Sequence, residues 1–210
     1  MTKSKNLLLI FTRNPELGKC KTRLAKTVGD ESALKIYKFL LKHTVSITEN
    51  LDVDKAVYYS VKIRDNDLWD KNIYQKYKQH GDDLGIRMKN AFKQGFEDGY
   101  KNIIIIGSDM YDLSQEDIEI AFSELENNQV VIGPAEDGGY YLLGMSSLQA
   151  QVFSHKDWGK ETVLKDTLAD LKSVSVKLLE ERNDVDYFSD IKHIDVFQQF
   201  LPNYLDKDFQ

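Results

Sequence analysis

The segment that decides the fold reads Asn102-Ile103-Ile104-Ile105-Ile106-Gly107-Ser108-Asp109. Four consecutive isoleucines with no polar residue between them are typical of a strand that is buried on both of its faces. Strands of this kind occur in the middle of parallel sheets that are covered by helices on both sides. The segment therefore predicts a central strand over residues 102–106, followed directly by a glycine, a serine and an aspartate.

Strand-like and helix-like segments alternate on both sides of this strand. Apolar runs predict further strands over 7–12, 55–61, 77–80, 129–133, 140–145 and 175–179. Apolar residues at helical spacing predict helices over 31–46, 84–96, 160–171 and 187–197. Ser114, with Asp117 three residues later, predicts the start of one more helix. This alternation predicts a single α/β domain over residues 1–210, with three α/β/α layers around a mostly parallel sheet.

Composition is that of an ordinary globular protein. Hydrophobic residues make up 41% and charged residues 30% of the chain, which excludes a disordered or membrane-spanning protein. The apolar run 7–11 is too short for a signal-peptide core or a membrane span. The single cysteine, Cys20, agrees with a reducing compartment. We therefore expect a cytoplasmic protein without a membrane partner, and the net charge of -6 argues against nucleic acid as a partner.

A basic loop follows the first predicted strand. It reads Thr12-Arg13-Asn14-Pro15-Glu16-Leu17-Gly18-Lys19-Cys20-Lys21-Thr22-Arg23-Leu24 and holds four cations in an acidic protein. A glycine lets backbone amides turn inward, arginine offers a planar fork for oxygen atoms, and lysine offers a mobile point charge. The loop is therefore a candidate phosphate-binding segment, and the alternative is a solvated surface loop that happens to be basic.

Carboxylates follow three of the other predicted strands. Asp109 follows the central strand, Asp137 follows the strand over 129–133, and Asp184 and Asp186 follow the strand over 175–179. Ligands of open α/β sheets bind beyond the carboxyl ends of the strands, so we expect these groups to meet the basic loop. Clustered carboxylates repel one another unless a cation lies among them, and oxygen ligands favour Mg²⁺ or Mn²⁺. Any single aspartate at a strand end is more often a helix cap, so the prediction depends on the whole set.

The chain resembles the nucleotide-diphospho-sugar transferase superfamily, which has the glycosyltransferase-A fold. More narrowly, it is similar to a small bacterial branch of uncharacterised transferases and arsenosugar-biosynthesis-type glycosyltransferases. That branch is related to phospholactate guanylyltransferase and to the molybdenum-cofactor nucleotidyltransferases. The segments that carry the resemblance are FTRNPELGKCKTRLA, GDDLGIRMKNAF, IIIIGSDMYDL, VIGPAEDGGYYLLGM and, more weakly, NDVDYFSDI. They are specific as a set, whereas GSD or DGG alone is a weak motif.

The resemblance implies roles for the matching residues. It implies a nucleotide-binding set made of Arg13, Gly18, Lys21, Arg23, Gly81, Leu84, Gly85, Arg87 and Ser108. It implies an acceptor-binding set made of Asp137, Gly138, Gly139 and Tyr140. The implied metal ligands are Asp109 and Asp186, with Asp184 as the alternative to the latter. The implied catalytic residues are Lys21, Arg23, Asp109 and Asp137. For Arg87, an ion pair with Asp82 or Asp83 on its own helix is an equal alternative.

The chain also departs from the pattern of its relatives. Arg13 stands where relatives usually have lysine, Cys20 where they have valine, Tyr111 where they have proline and Ile86 where they have glutamate. The late motif reads DVDYFSDI, where TPEDL would normally follow the aspartate. The charges of the predicted site are kept.

Together these features predict a Mg²⁺- or Mn²⁺-dependent transferase that uses a nucleotide and a small-molecule acceptor. Two chemistries fit: attack on the α-phosphorus of a nucleoside triphosphate, and attack on the sugar carbon of a nucleotide sugar. The basic loop slightly favours the first, because a triphosphate has the more highly charged leaving group, whereas the family names favour the second. A non-catalytic nucleotide-binding regulatory module is the third hypothesis. The base, the acceptor and the oligomeric state stay open.

Overall fold

The isoleucine strand lies in the middle of a seven-stranded sheet, as predicted. A computed structural model describes residues 4–202 and Leu205. Its strands are β1 (Asn6–Thr12), β2 (Asp54–Tyr59), β3 (Tyr74–Lys78), β4 (Asn102–Gly107), β5 (Val130–Pro134), β6 (Tyr140–Met145) and β7 (Val176–Leu178). Their order in the sheet is β3-β2-β1-β4-β6-β5-β7. All neighbours pair in parallel except β6, which is antiparallel to both β4 and β5. The mostly parallel α/β class is therefore confirmed.

Helices cover both faces of this sheet. They are α1 (Thr22–Val28), α2 (Asp30–Thr48), α3 (Leu84–Glu97), α4 (Gln115–Glu124), α5 (Val163–Asp170) and α6 (Asp195–Gln198), with 3-10 turns at Ala150–Phe153 and Phe188–Asp190. Leu8 and Ile10 pack in one hydrophobic cluster with α2 and α4, whereas Leu7 and Leu9 pack in another with α3. Alternate residues of β1 thus face opposite layers, which confirms the three-layer arrangement. None of the described helices has the length and apolar character that a membrane crossing requires.

The register of the central strands brings two candidate functional segments to one edge of the sheet. Phe11 of β1 lies beside Gly107 of β4, so the two strands end at the same level of the sheet. Beyond these ends, the Ser108 hydroxyl donates a hydrogen bond to Thr12 Oγ1 at 3.0 Å. The start of the basic loop and the segment that carries Asp109 are therefore neighbours.

The predicted helix over 187–197 is wrong. The structure has only a 3-10 turn at Phe188–Asp190 and the short helix α6. The Asp190 carboxylate accepts a hydrogen bond from the Asp186 backbone N–H at 2.9 Å, which ties the start of this segment to its first turn. Ile191 and Phe197 are buried against α1 and α2, so tertiary packing determines the path of this segment.

Helix α1 was missed: its first three residues, 22–24, belong to the predicted basic loop, and residues 25–28 were assigned to no element. The helix has only seven residues, and its buried side chains are Leu24 and Val28. Two other boundaries are shifted: the third strand begins at Tyr74 and α5 begins at Val163. The capping box of Ser114 and Asp117 is present as predicted. Residues 1–3, 203–204 and 206–210 of the predicted 1–210 domain lie outside the described residues.

Candidate functional site

The basic loop and the carboxylates meet at the edge where β1 and β4 end. Lys21 Nζ lies 2.8 Å from Asp109 Oδ2 and 3.0 Å from Asp186 Oδ1. Arg23 Nη1 lies 3.0 Å from Asp186 Oδ2. Three segments that are far apart in the sequence thus form one network, in which a lysine ammonium bridges two carboxylates.

Lys21 is the buried centre of this network. Its side chain is only 4% exposed. Burial by itself opposes the charged form, but the carboxylates of Asp109 and Asp186 outweigh it and raise the pKa of Lys21 above its ordinary value. The backbone of Lys21 is left-handed, with φ 48° and ψ 48°, which is uncommon for a residue with a side chain. The residue is also the N-cap of α1, so the start of the helix sets its backbone position and the two carboxylates hold its ammonium.

Asp184 is a third carboxylate near this network. Burial, followed by repulsion from Asp186, raises the pKa of Asp184 to about 6. Three carboxylates, Asp109, Asp184 and Asp186, thus stand against the two cations Lys21 and Arg23, and the excess of negative charge suits a further cation. Within residues 4–202 and 205, however, no three His, Cys, Asp or Glu side chains form a metal-binding group. A metal ion at this edge would therefore need additional oxygen ligands from water or from a bound molecule.

Tyr37 of α2 holds the start of the basic loop. Its hydroxyl accepts a hydrogen bond from the Arg13 backbone N–H at 3.0 Å and donates one to the Arg13 carbonyl at 2.9 Å. The same hydroxyl lies 3.4 Å from Ser108 Oγ. From the sequence, Tyr37 was only one residue of the predicted helix over 31–46, which rests on apolar residues at helical spacing. Its hydroxyl, among the apolar residues of this helix, is the one signal in the sequence that could have indicated its role in holding the loop.

Asn14 ties the loop to the end of β2 and was also missed. It is 2% exposed, and its Oδ1 accepts the backbone N–H groups of Val61 and Lys62, each at 3.1 Å. Its Nδ2 donates to the Lys62 carbonyl at 2.8 Å. Because one side chain forms all three bonds, the path of the loop is fixed on the β2 side as well.

Two cavities open at this edge of the sheet. The first, which we call the cationic cavity, has a volume of about 630 Å³, and its charged lining residues are Arg13, Lys21, Arg23, Arg87, Asp109 and Asp186. Ser108, Tyr37, Gln79 and Ser60 also line it. Its volume is typical of small-molecule sites.

Arg87 does not pair with Asp82 or Asp83 here, because its Nε donates to the Gly81 carbonyl at 2.9 Å and Asp83 caps α3.

The second cavity, which we call the apolar cavity, has a volume of about 250 Å³. Its large apolar lining residues include Phe11, Leu84, Met88, Tyr140, Trp158 and Val163. The carboxylates that line it are Asp109, Asp137 and Asp184. Phe11, Leu84 and Asp109 line both cavities, so the two meet at Asp109.

Several glycines of the predicted site shape the walls of these cavities. A Cβ on Gly85 would lie 2.6 Å from the Trp158 ring, and one on Gly138 would collide with the backbone of Glu161. Gly81 forms a turn with φ +139°, and Gly18 lies in the basic loop with φ +69°. Among the described residues, these four glycines line neither cavity. Gly139 lines the apolar cavity, and its N–H donates to Asp137 Oδ1 at 2.8 Å.

A family profile matches the middle of the chain. The family is described as "Uncharacterized protein conserved in bacteria (DUF2064)", and the match covers residues 44–160. This range includes Arg87, Asp109 and Asp137, and it leaves out Lys21 and Asp186. More than half of the chain is therefore accounted for by one family.

Two relatives place the chain more closely. A candidate nucleotide-diphospho-sugar transferase from Desulfovibrio desulfuricans G20 has 34% identity and a TM-score of 0.80, over 88% of this chain and 83% of its own. The 2-phospho-L-lactate guanylyltransferase of Methanocaldococcus jannaschii is 29% identical over 133 residues. That match covers 60% of this chain and 54% of the relative, so it spans about half of the relative's length. The resemblance expected from the sequence is confirmed.

The fold is shared more widely than the sequence. The 4-diphosphocytidyl-2C-methyl-D-erythritol synthase of Anaerococcus prevotii DSM 20548 has a TM-score of 0.58 at 10% identity. The alignment covers 93% of this chain and 97% of that one. At this identity the likeness concerns the fold alone.

Proposed function

This chain belongs to the DUF2064 family, and we propose that it is a nucleotidyltransferase that transfers a nucleotidyl group from a nucleoside triphosphate to a small acceptor. The observation that carries the proposal is the buried Lys21 ammonium, held by Asp109 and Asp186 where the two cavities meet. Arg13, Arg23 and Arg87 line the same cationic cavity. Four cations around one cavity of an acidic protein suit a highly charged polyphosphate.

The relatives support an enzyme. One is named a guanylyltransferase and another a candidate nucleotide-diphospho-sugar transferase. Both names are those of transferases that use nucleotides. They favour catalysis over a non-catalytic nucleotide-binding module, and the guanylyltransferase makes GTP the first nucleotide to test.

In the proposed reaction, the acceptor lies in the apolar cavity and the pyrophosphate leaves in the cationic cavity. An acceptor oxygen in the apolar cavity forms a bond to the α-phosphorus, and the bond from this phosphorus to the α,β-bridging oxygen breaks. Pyrophosphate leaves with the electron pair, and the cations of Lys21 and Arg23 stabilise the negative charge that grows on it. Where the acceptor is an alcohol, its proton passes to Asp137, whose Oδ1 is already fixed by the Gly139 N–H.

A divalent metal ion, Mg²⁺ or Mn²⁺, is part of the proposal. Proteins commonly hold Mg²⁺ through one or two carboxylates together with substrate phosphates, and without a complete cage of their own. The excess of carboxylates at Asp109, Asp184 and Asp186 fits this pattern. We assign Asp109 and Asp186 as the ligands, with Asp184 as the alternative to Asp186. Such an ion neutralises phosphate charge when bound.

Glycosyl transfer is the second candidate function. It is favoured by the name of the Desulfovibrio relative, which is 34% identical to this chain over the aligned residues. In that reaction the acceptor oxygen attacks the sugar carbon and a nucleoside diphosphate leaves. The same cationic cavity would hold the diphosphate, so the two functions differ in which donor the protein binds.

The donor can be identified by thermal denaturation with ATP, CTP, GTP, UTP, UDP-glucose and GDP-mannose, each with and without Mg²⁺. A triphosphate at about a hundredfold its Kd should add about 2.7 kcal/mol to the free energy of unfolding. Lys21→Ala should lose this stabilisation. Lys19→Ala is the matched control, because Lys19 lies in the same loop but pairs only with Glu16 and lines neither cavity in the described structure.

Each result decides between the candidates. Stabilisation by a triphosphate with Mg²⁺ supports nucleotidyl transfer, and stabilisation by a nucleotide sugar alone supports glycosyl transfer. If none of the six compounds stabilises the protein, or if Lys19→Ala loses as much as Lys21→Ala, the proposal fails.

A further inference from the structure

We infer that the acceptor is an uncharged or cationic molecule with a compact apolar body, and that it is not a phosphorylated compound. The inference rests on the proposed function and concerns the apolar cavity. It follows from the charges that line this cavity, from the nature of its walls and from the way in which those walls are held.

The charges of the apolar cavity are mainly negative. Asp109, Asp137 and Asp184 line it, and Lys160 is the one cation among its described lining residues. The three arginines of the site line the other cavity. A metal ion on Asp109 and Asp186 would be engaged by the nucleotide phosphates, and Asp137 and Asp184 would still face the acceptor. A phosphate group on the acceptor would therefore bring two negative charges next to these carboxylates, without an arginine to receive it. Juxtaposed like charges discriminate strongly against a ligand, whereas an ammonium group would be attracted.

The walls of the cavity are apolar and partly aromatic. Phe11, Leu84 and Met88 form part of them, together with Tyr140 and Trp158, whose rings meet edge to face at 6.5 Å. The volume of about 250 Å³ exceeds the ~150 Å³ of a cavity known to hold benzene. A body of about one ring, with a short polar arm toward Asp109, fits this space.

The wall that carries Trp158 and Lys160 is held at two points, so the cavity is built into the fold. Gly85 has no Cβ, which leaves room for the Trp158 ring against α3. Gly138 has no Cβ, which leaves room for the Glu161 backbone. Next to it, the Leu164 N–H donates to the Gly138 carbonyl at 2.9 Å. Gly85 and Gly138 belong to two different sequence motifs, and each leaves the space that this wall needs in order to pack.

Three probes with the same phenylethyl body test the inference: 2-phenylethanol, L-phenylalaninol and 2-phenylethyl phosphate. Trp158 lines the cavity, whereas the other tryptophan, Trp69, is buried in a different cluster. Quenching of Trp158 fluorescence in a Trp69→Phe background therefore reports binding, and Trp158→Phe is the control for the signal. The titrations are repeated with α,β-methylene-GTP and Mg²⁺, so that the phosphate probe cannot bind in the cationic cavity.

We expect the alcohol and the amino alcohol to bind at least about tenfold more tightly than the phosphate. Asp137→Asn, which removes one negative charge and keeps the shape, should narrow this difference. Equal or tighter binding of the phosphate would overturn the inference, and so would the failure of all three probes to bind.

The inference and the proposed function can fail separately. Stabilisation by a nucleotide depends on the cationic cavity, and the preference among the probes depends on the apolar cavity. A nucleotide response without the charge preference refutes the inference and leaves the proposed function. If the probes show the charge preference but no nucleotide stabilises the protein, the proposed function is refuted, and the charge selectivity of the apolar cavity is still supported.

Discussion

The cationic and apolar cavities share Asp109 but are built in opposite ways. The cationic cavity is formed by long side chains on a loop and the first turn of a helix, and Arg23 in it is 50% exposed. The apolar cavity is formed by strand ends and by a wall that two glycines hold in position. The cationic cavity is therefore suited to bind a charged group, and the apolar cavity is suited to bind a body of matching shape. Under the proposed function, the reaction would take place at Asp109, where phosphate and acceptor would meet.

The largest effect should come from Asp109→Asn, because this residue belongs to both cavities. The change removes one of the two carboxylates that hold Lys21, and this carboxylate is also a proposed metal ligand. We expect pyrophosphate release to fall about 10²–10³-fold. It can be measured with the four triphosphates and a mixture of small alcohols and phosphates as acceptors. Asp52→Asn, on the exposed turn before β2, is the control, and an unchanged Mg²⁺ response in Asp109→Asn would remove Asp109 from the site.

Gly85→Ala should change binding in the apolar cavity without changing binding in the cationic cavity. The new methyl group would press on Trp158, so we expect a cost of about 1–3 kcal/mol in stability and weaker binding in the apolar cavity. The affinity for nucleotide should stay unchanged. Gly95→Ala is a matched control on the same helix, because its Cβ would meet Ile103 at 2.6 Å, away from both cavities. If both variants changed probe binding alike, the role of Gly85 in the wall would be refuted.

Tyr37→Phe should weaken the cationic cavity alone. The hydroxyl holds the backbone of Arg13, and its loss should cost about 1 kcal/mol of stability and reduce nucleotide affinity a few-fold. Tyr74→Phe is the comparison, since the Tyr74 hydroxyl also makes a buried hydrogen bond, to Thr48 at 2.8 Å, and lies outside the site. Equal nucleotide affinity in the two variants would contradict the role of Tyr37.

The smallest effect concerns pH and Asp184. In the absence of metal, the folded-state pKa of Asp184 is about 6, above its ordinary value of 3.8. The folded protein therefore binds more protons than the unfolded chain between these values, so this group makes stability fall as the pH rises from about 4 to 6. Asp184→Asn should remove this decrease in stability between about pH 4 and 6. The variant should gain in Tm relative to wild type above pH 6, and a difference independent of pH would refute the assignment.

Local sequence patterns predicted most of the framework. The isoleucine run of β4 and the Ser114–Asp117 capping box are recognisable within a few residues, because burial and capping impose a short-range pattern. The meeting of the basic loop with Asp109 and Asp186 followed from one topological rule about strand ends. The structure brings these groups into direct contact.

What the sequence did not predict depends on distant partners. Tyr37 and Asn14 each hold the loop through more than one hydrogen bond between residues that are far apart in the sequence, and no local spacing indicates these bonds. The segment after Asp186 has helical spacing, yet it is shaped by packing against α1 and α2. Gly85 and Gly138 were assigned to ligands, whereas the structure shows them next to the wall of the apolar cavity.

The central claim is that Lys21, Asp109 and Asp186 form a site for a triphosphate together with a metal ion. Calorimetric titration of GTP, and then of the other three triphosphates, into wild type and Lys21→Ala tests it most directly, in Mg²⁺ and in EDTA. The account predicts that wild type binds at least one triphosphate about tenfold or more tightly in Mg²⁺ than in EDTA, and that Lys21→Ala loses most of this affinity. Triphosphate binding that is the same in Mg²⁺ and EDTA, and the same in both proteins, would contradict it.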